Sequence, residues 1–251
     1  MKKRDRLALI RQFYPKAVTT SDSVEALFDL LETRFDLEPH QIMLADSVCS
    51  DDVNTIEYPA RAYEMLGPFK MGGLDGFPFT GLTGMAAFAG HVPDDGAVFV
   101  FYAPHIGISK AGVVGELMRI GQSRPTGCCG AAKAALAKLV AGRITTGHVT
   151  ELDHQINIIE QLLLAQQARV LTAPDQLREA TEVIYEAMHE RINTLVEATT
   201  YRCRYVFLVG AILINGDHDV GSFAEPRHVH VRDRETGETL DLFDDYMQRL
   251  R

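Results

Sequence analysis

The sequence contains no tryptophan and only four cysteines among its 251 residues. The cysteines fall at irregular intervals, which does not fit the disulfide framework of a small secreted protein. No apolar run approaches the roughly 18 residues that a membrane-spanning helix needs. The basic start at residues 1–6 is followed by too short an apolar stretch for a signal peptide. We therefore expect a soluble protein in a reducing compartment, for which the cytoplasm is the simplest assignment, with no membrane partner.

Positive charge is also scarce, since 25 lysines and arginines stand against 34 aspartates and glutamates, a formal net charge of −9 at pH 7. An acidic surface repels a phosphodiester backbone, so nucleic acid is not an expected partner. Hydrophobic residues make up 46% of the chain, enough for one sizeable core. We expect a single domain over residues 1–251, with N-terminal helices at 1–36, a core at 37–232 and a tail at 233–251.

Four apolar stretches have the character of β-strands. Residues 42–48, 98–102 and 205–214 are nearly continuous apolar runs, typical of parallel strands buried on both faces. Residues 228–231 alternate and predict a fourth strand. Helical patterns lie between the strands, and one of them, at residues 57–66, directly follows the first strand. The sequence therefore predicts an α/β fold in which helices flank a small, mostly parallel four-stranded sheet.

Reactive side chains follow two of the predicted strands. Cys49 and Asp51 come directly after the first strand and His105 follows the second. Open α/β sheets place their ligands at the carboxyl ends of such strands. The doublet Cys128-Cys129 precedes an alanine-rich helix. Two thiolates and an imidazole suit a catalytic zinc ion, which keeps one position for water, although cysteines are more often small buried hydrophobes.

Asp51 is a candidate partner for a metal-bound water, whose hydrogen bond a nearby carboxylate can accept. An arginine in a bidentate pair would hold that carboxylate away from the metal, and Arg61, about three turns further on, is the candidate. Alternatively, Asp51 or Asp52 caps the following helix. His228 and His230 share one face of a strand; they form either a metal pair or, more commonly, two solvated side chains.

The segment 70–90 is rich in glycine, with phenylalanines between the glycines. Glycine lets a backbone turn sharply and approach a site closely. The segment is either an irregular loop that leads into a short helix or the wall of an apolar pocket. In the second interpretation the substrate pocket is lined by Gly73, Phe77, Phe79 and Phe88.

Four stretches in the same order resemble the LCIB family, the limiting-carbon-dioxide-inducible proteins, whose active members are theta-class carbonic anhydrases. They are CSDDVN at 49–54, GLDGFPFTG at 73–81, PHIGI at 104–108 and CCGA at 128–131. The likeness extends from about residue 35 to residue 232. It implies a fold like that of the β-carbonic anhydrases and a homodimer.

The resemblance also implies a zinc ion held by cysteine, histidine, cysteine and water. By position these ligands fall on Cys49, His105 and Cys128, and only the spacing from His105 favours Cys128 over its neighbour Cys129. The implied reaction interconverts carbon dioxide and bicarbonate through zinc-bound hydroxide, with carbon dioxide held in the apolar pocket.

The family's aspartate–arginine pair falls on Asp51 and Arg61. The β-carbonic anhydrases place their arginine two residues after the aspartate, where this chain has Val53, so the pair depends on Arg61 reaching back. Two other functions stay open. One is an inactive homologue that binds bicarbonate or a partner protein. The other is an enzyme with a cysteine nucleophile, Cys128 or Cys129, activated at a helix N-terminus.

Overall fold

Ten strands and eight α-helices make up the regular structure of the computed structural model, which describes residues 3–54, 60–218 and 221–250. The strands are β1 (Val18–Thr19), β2 (Ile42–Ser47), β3 (Leu66–Lys70), β4 (Ala97–Tyr102), β5 (His105–Gly107), β6 (Glu116–Leu117), β7 (Thr126–Gly127), β8 (Tyr205–Asn215), β9 (Ser222–Asp233) and β10 (Thr239–Asp241). The helices are α1 (Lys3–Ile10), α2 (Thr20–Phe35), α3 (Leu82–Gly90), α4 (Gly130–Val140), α5 (His154–Ala165), α6 (Gln167–Thr172), α7 (Gln176–Glu197) and α8 (Phe243–Arg249).

Eight of the strands form one mixed sheet, in the order β1-β9-β8-β4-β2-β3, with β5 beside β8 and β10 beside β9. The strands β3, β2, β4, β8 and β5 are parallel, whereas β9 is antiparallel to β8, β1 and β10. The strands β6 and β7 form a separate antiparallel pair. The α/β class is therefore confirmed, but the prediction of a small four-stranded sheet was wrong.

The strands that the sequence did not reveal are short or irregular. β1 has two residues, β5 and β10 have three each, and β3 contains Gly67-Pro68, a pair that is unfavourable inside strands. The predicted helix at 57–66 is also wrong in its described part. Ala60–Glu64 forms a 3-10 helix and Leu66 already begins β3, because pairing with β2 overrides the local helical pattern.

Helices bury both faces of the central strands. On β4, Val98, Val100 and Tyr102 pack in one apolar core with α3, α4, α5 and α7. Ala97 and Phe99 belong to a second core with α2 and α8. Burial on two faces explains the unbroken apolar sequence of this strand. Among the described residues, no helix combines the length and apolarity that crossing a bilayer requires.

The carboxyl ends of β2, β4 and β8 meet at one edge of the sheet, since these strands are adjacent and parallel. The chain leaves β2 towards Cys49 and leaves β4 towards His105. His105 then begins β5, which pairs with the last residues of β8, up to Asn215. The fold therefore gathers three segments with polar side chains at a single edge, as the strand ends predicted.

A tight turn at Leu74–Gly76 presses against this edge. Gly76 has a φ of +78°, and an added Cβ would lie 2.4 Å from the carbonyl oxygen of Ala103. We expect Gly76→Ala to lower the free energy of unfolding, measured in urea, by about 2 kcal/mol, because the left-handed conformation alone costs about 1–2 kcal/mol. The control is Gly90→Ala, whose Cβ would meet no atom within 4 Å. Equal effects of the two variants would contradict this packing.

Candidate metal centre

The side chain of His105 is fully buried and fixed at one ring nitrogen. Its Nδ1 lies 2.8 Å from Oδ1 of Asn215. The amide nitrogen of Asn215 donates to the carbonyl oxygen of Val53 at 2.9 Å, so its oxygen faces the imidazole. Nδ1 is therefore the donor, and Nε2 carries the lone pair. Nε2 is buried and makes no hydrogen bond within the described part of the chain, which marks it as the nitrogen available to a metal ion.

Two thiols complete a set of soft ligands around this histidine. The Sγ atoms of Cys49 and Cys129 and a ring nitrogen of His105 all lie within 4.8 Å of one another, and all three residues are buried. Bonds of about 2.0–2.3 Å to a tetrahedral zinc ion would place its ligand atoms roughly 3.5–4 Å apart. The residues present therefore fit zinc, with the fourth position left for a water molecule.

The electrostatics of the set favour a cation. Sγ of Cys49 accepts the backbone N–H of Asp75 at 3.1 Å. Its interactions with the neighbouring Cys129 thiol and His105 ring outweigh burial and lower the pKa of the Cys49 thiol to about 4. Burial lowers the pKa of His105, but the neighbouring thiols of Cys128 and Cys49 raise it well above the usual value. A site that stabilises a thiolate beside the imidazole also stabilises a metal cation.

Cys128 lies next to Nδ1 of the same imidazole. Its Sγ is 3.5 Å from Nδ1 of His105 and 3.7 Å from Oδ1 of Asn215, and together with Asp51 and His105 it forms a second set of donor atoms within 4.8 Å. Because Nδ1 is already bonded to Asn215, this side of the ring offers no free lone pair. Cys128, the ligand that the resemblance implies, stays a prediction, and the geometry favours its neighbour Cys129.

Asp51 is held by an arginine that the sequence did not single out. Nη2 of Arg119, in the loop between β6 and β7, donates to both carboxylate oxygens of Asp51 at 2.9 Å. Its Nε donates to Asp52 at 3.1 Å, and its Nη1 donates to the hydroxyl of Thr126 at 2.6 Å and to the carbonyl oxygen of Gly127 at 3.3 Å. Burial raises the pKa of Asp51, but its hydrogen bonds with Asp52 and Arg119 lower it overall.

The side chain of Arg61, the predicted partner of Asp51, lies outside the described residues, so that pairing stays a prediction. No local signal pointed to Arg119, because 68 residues separate it from Asp51. Asn215 was also missed, although a polar residue that closes a long apolar strand is a recognisable signal. Asp75 lies inside a recognised motif but was given no role; burial raises the pKa of its carboxyl to about 7.

The candidate pocket residues divide into two groups. The rings of Phe77 and Phe79 meet edge to face at 5.3 Å, and an added Cβ on Gly73 would lie 2.7 Å from the Phe79 ring. Phe88 is fully buried and instead packs against Phe69, with ring centroids 5.6 Å apart. Three of the four proposed residues therefore form one cluster beside the Leu74–Gly76 turn.

The paired strand histidines have partners of their own. Nδ1 of His228 lies 2.5 Å from the hydroxyl of Tyr185, and its ring stacks on that of His189 with centroids 4.1 Å apart. Nε2 of His230 lies 3.8 Å from the carboxylate of Asp241. Groups of three or more potential metal ligands among the described residues include neither His228 nor His230.

Comparison with solved structures places this arrangement among known folds. The crystal structure of PtLCIB4, a homolog of the limiting CO2-inducible protein LCIB, is similar with a TM-score of 0.80 and 28% identity, over 94% of this chain and 98% of that one. A variant of PtLCIB4 with one histidine replaced by alanine is similar with a TM-score of 0.81 and 28% identity, over 93% of this chain and 96% of that one. The crystal structure of LCIB itself is similar with a TM-score of 0.67 and 17% identity, over 92% of this chain and 95% of that one. At this low identity the similarity shows the fold alone.

No curated protein matches the chain. The model of the family described as limiting CO2-inducible proteins B/C beta carbonic anhydrases, however, matches residues 18–233. That span includes the three strand ends, the cysteine doublet and Arg119. The chain therefore belongs to the family of limiting CO2-inducible proteins B/C beta carbonic anhydrases.

Proposed function

We propose that this protein is a zinc carbonic anhydrase that interconverts carbon dioxide and bicarbonate. The observation that carries the proposal is a set of three buried residues, in which a ring nitrogen of His105 lies within 4.8 Å of the Sγ atoms of Cys49 and Cys129, while Nε2 of His105 is buried and has no hydrogen-bond partner among the described residues. Family membership supports the choice of substrate. The test is stopped-flow hydration of carbon dioxide by the zinc-replete protein. Hydration no faster than in buffer alone would favour the alternative function, that of an inactive homologue that binds bicarbonate or a partner protein.

Each residue of the site has a definable task in this proposal. Zinc would lower the pKa of a bound water to about 7, which makes a nucleophile available at neutral pH. Cys49, His105 and Cys129 would hold the ion. Asn215 keeps the imidazole in the tautomer that presents Nε2, and the N–H of Asp75 stabilises the Cys49 thiolate at 3.1 Å.

Asp51 orients the attacking oxygen in this proposal. A carboxylate that stays ionised accepts a hydrogen bond from the nucleophile and so directs a lone pair towards carbon dioxide. Arg119 fixes the carboxylate by two bonds of 2.9 Å and keeps it ionised. Carbon dioxide is apolar, so we place it against the cluster of Phe77 and Phe79.

A cysteine nucleophile is a weaker proposal. Cys128 and Cys129 are 0% and 2% exposed, so neither thiol offers an accessible surface to a substrate. Burial raises the pKa of Cys128, which further disfavours its thiolate. A homodimer, which the family resemblance implies, and a cytoplasmic location, which the irregular cysteine spacing indicates, are also part of the proposal. Light scattering of the purified protein tests the assembly.

We expect Cys49→Ser and His105→Ala each to lose most of the bound zinc, because each removes one of three protein ligands. Elemental analysis of the purified variants measures this directly. Cys203→Ser is the matched control, since Cys203 is a buried free cysteine whose Sγ lies 3.5 Å from the carbonyl oxygen of Tyr205. Full zinc content in both site variants would rule out the site.

The two cysteines of the doublet should differ in their importance for zinc binding. We expect Cys129→Ser to lose zinc and Cys128→Ser to keep most of it, since only Cys129 groups with Cys49 and the ring of His105. Zinc content and hydration rate, measured on both variants, decide which of the two cysteines is the third ligand. The reverse pattern would restore the sequence-based assignment of Cys128 as the third ligand.

Asp51 and Arg119 should act as one unit. We expect Asp51→Ala and Arg119→Ala to keep zinc and to lower kcat about 10- to 100-fold, the usual effect of removing a group that orients the ligands of a metal. The double variant should be little worse than either single variant. Arg124→Ala, an exposed arginine in the same loop, is the control for Arg119.

Arg61→Ala, measured in parallel with these variants, tests the predicted partner. A loss of activity in Arg61→Ala together with wild-type activity in Arg119→Ala would transfer the role to Arg61. Losses in both variants would assign the orientation of Asp51 to two arginines.

A further inference from the structure

A cavity of about 460 Å³ adjoins the candidate metal centre. Its lining includes Asp52, Arg119, Asn215, Asp217 and His218. Two of these residues bond directly to the site, since Asn215 pairs with His105 and Arg119 pairs with Asp51. At about 30 Å³ for each molecule, the cavity has room for on the order of ten waters. Water can therefore fill the cavity up to the residues that surround the proposed metal.

His218 is fixed on the wall of this cavity. Its backbone N–H donates to the carbonyl oxygen of Met118 at 3.2 Å, and its Nδ1 lies 3.3 Å from the same oxygen. Since a carbonyl oxygen only accepts, Nδ1 carries the hydrogen and Nε2 the lone pair. Met118 directly precedes Arg119. His218 itself is exposed and lies three residues after Asn215, a separation of at most about 10 Å between Cα atoms.

Hydration of carbon dioxide releases one proton for each bicarbonate formed, and this proton must leave before the next turnover. We propose that His218 accepts it, at Nε2, from the water of the cavity and passes it to buffer in solution. The proposal rests on the proposed carbonic anhydrase function. The atoms balance, because carbon dioxide and water give bicarbonate and a proton, and the imidazole returns to its neutral form when buffer takes the proton.

The other titratable groups that line the cavity are less suited to this task. Arg119 stays protonated at any relevant pH. The two carboxylate oxygens of Asp217 accept the backbone N–H groups of Lys110 and Met118 at 2.8 Å each, so this side chain holds loops together. Asp52 accepts from Nε of Arg119 at 3.1 Å. An imidazole, in contrast, takes up and releases protons near neutral pH.

The experiment compares zinc-replete wild type, His218→Ala and His218→Gln in stopped-flow hydration at low and high buffer concentration. His148→Ala is the control, an exposed histidine in a loop between α4 and α5. We expect both His218 variants to lose at least about tenfold in kcat at low buffer concentration, with kcat/KM unchanged. Added imidazole should restore kcat in His218→Ala. Zinc content and thermal unfolding midpoint should match the wild type.

The possible results separate this inference from the function on which it rests. An active wild type with unchanged kcat in both His218 variants at low buffer concentration would overturn the role of His218 alone. A parallel loss of kcat and kcat/KM that imidazole does not restore would also overturn it, because that pattern reports damage to the site. An inactive wild type would overturn the proposed function and this inference with it.

Discussion

The hydrogen bond between His105 and Asn215 is the contact on which the site depends. It joins the first residue of β5, three residues after the end of β4, to the last residue of β8. The same asparagine donates to the carbonyl oxygen of Val53 in the loop after β2. One amide group therefore connects the carboxyl ends of three neighbouring strands. Because each strand is fixed by apolar cores on its faces, the amide transmits the rigidity of the sheet to the imidazole.

The site also places several polar atoms in the interior of the fold. Without a metal, a buried lone pair on His105, a thiolate on Cys49 and the buried carboxyl of Asp75 carry a large desolvation cost. A cation bound among them would offset much of it, so metal binding would be thermodynamically linked to folding. The pKa of Asp75, raised to about 7 by burial, is one measure of that cost.

The sequence predicted the parts of the site that have local signatures. Cys49 and His105 each follow an apolar run that could only be a buried strand, and the edge where parallel strands end is a general place for chemistry. Arg119 has no such signature, since its partner lies 68 residues away and tertiary contacts such as the β6–β7 pair bring the loop back. The sequence did not predict the short strands β1, β5 and β10 for a related reason. Two or three residues carry no periodicity, and pairing with a longer strand decides their structure.

The contacts of Arg119 explain why this position requires an arginine. Its guanidinium reaches four groups at once: the carboxylates of Asp51 and Asp52, the hydroxyl of Thr126 and the carbonyl oxygen of Gly127. A lysine has three donors on one atom and cannot span acceptors that lie on different sides of a planar fork. Thr126 and Gly127 directly precede the cysteine doublet. The same side chain therefore contacts both the carboxylate of Asp51 and the segment that leads into the doublet. Under the proposed function, Arg119 would thereby couple the position of the metal to the carboxylate that acts beside it.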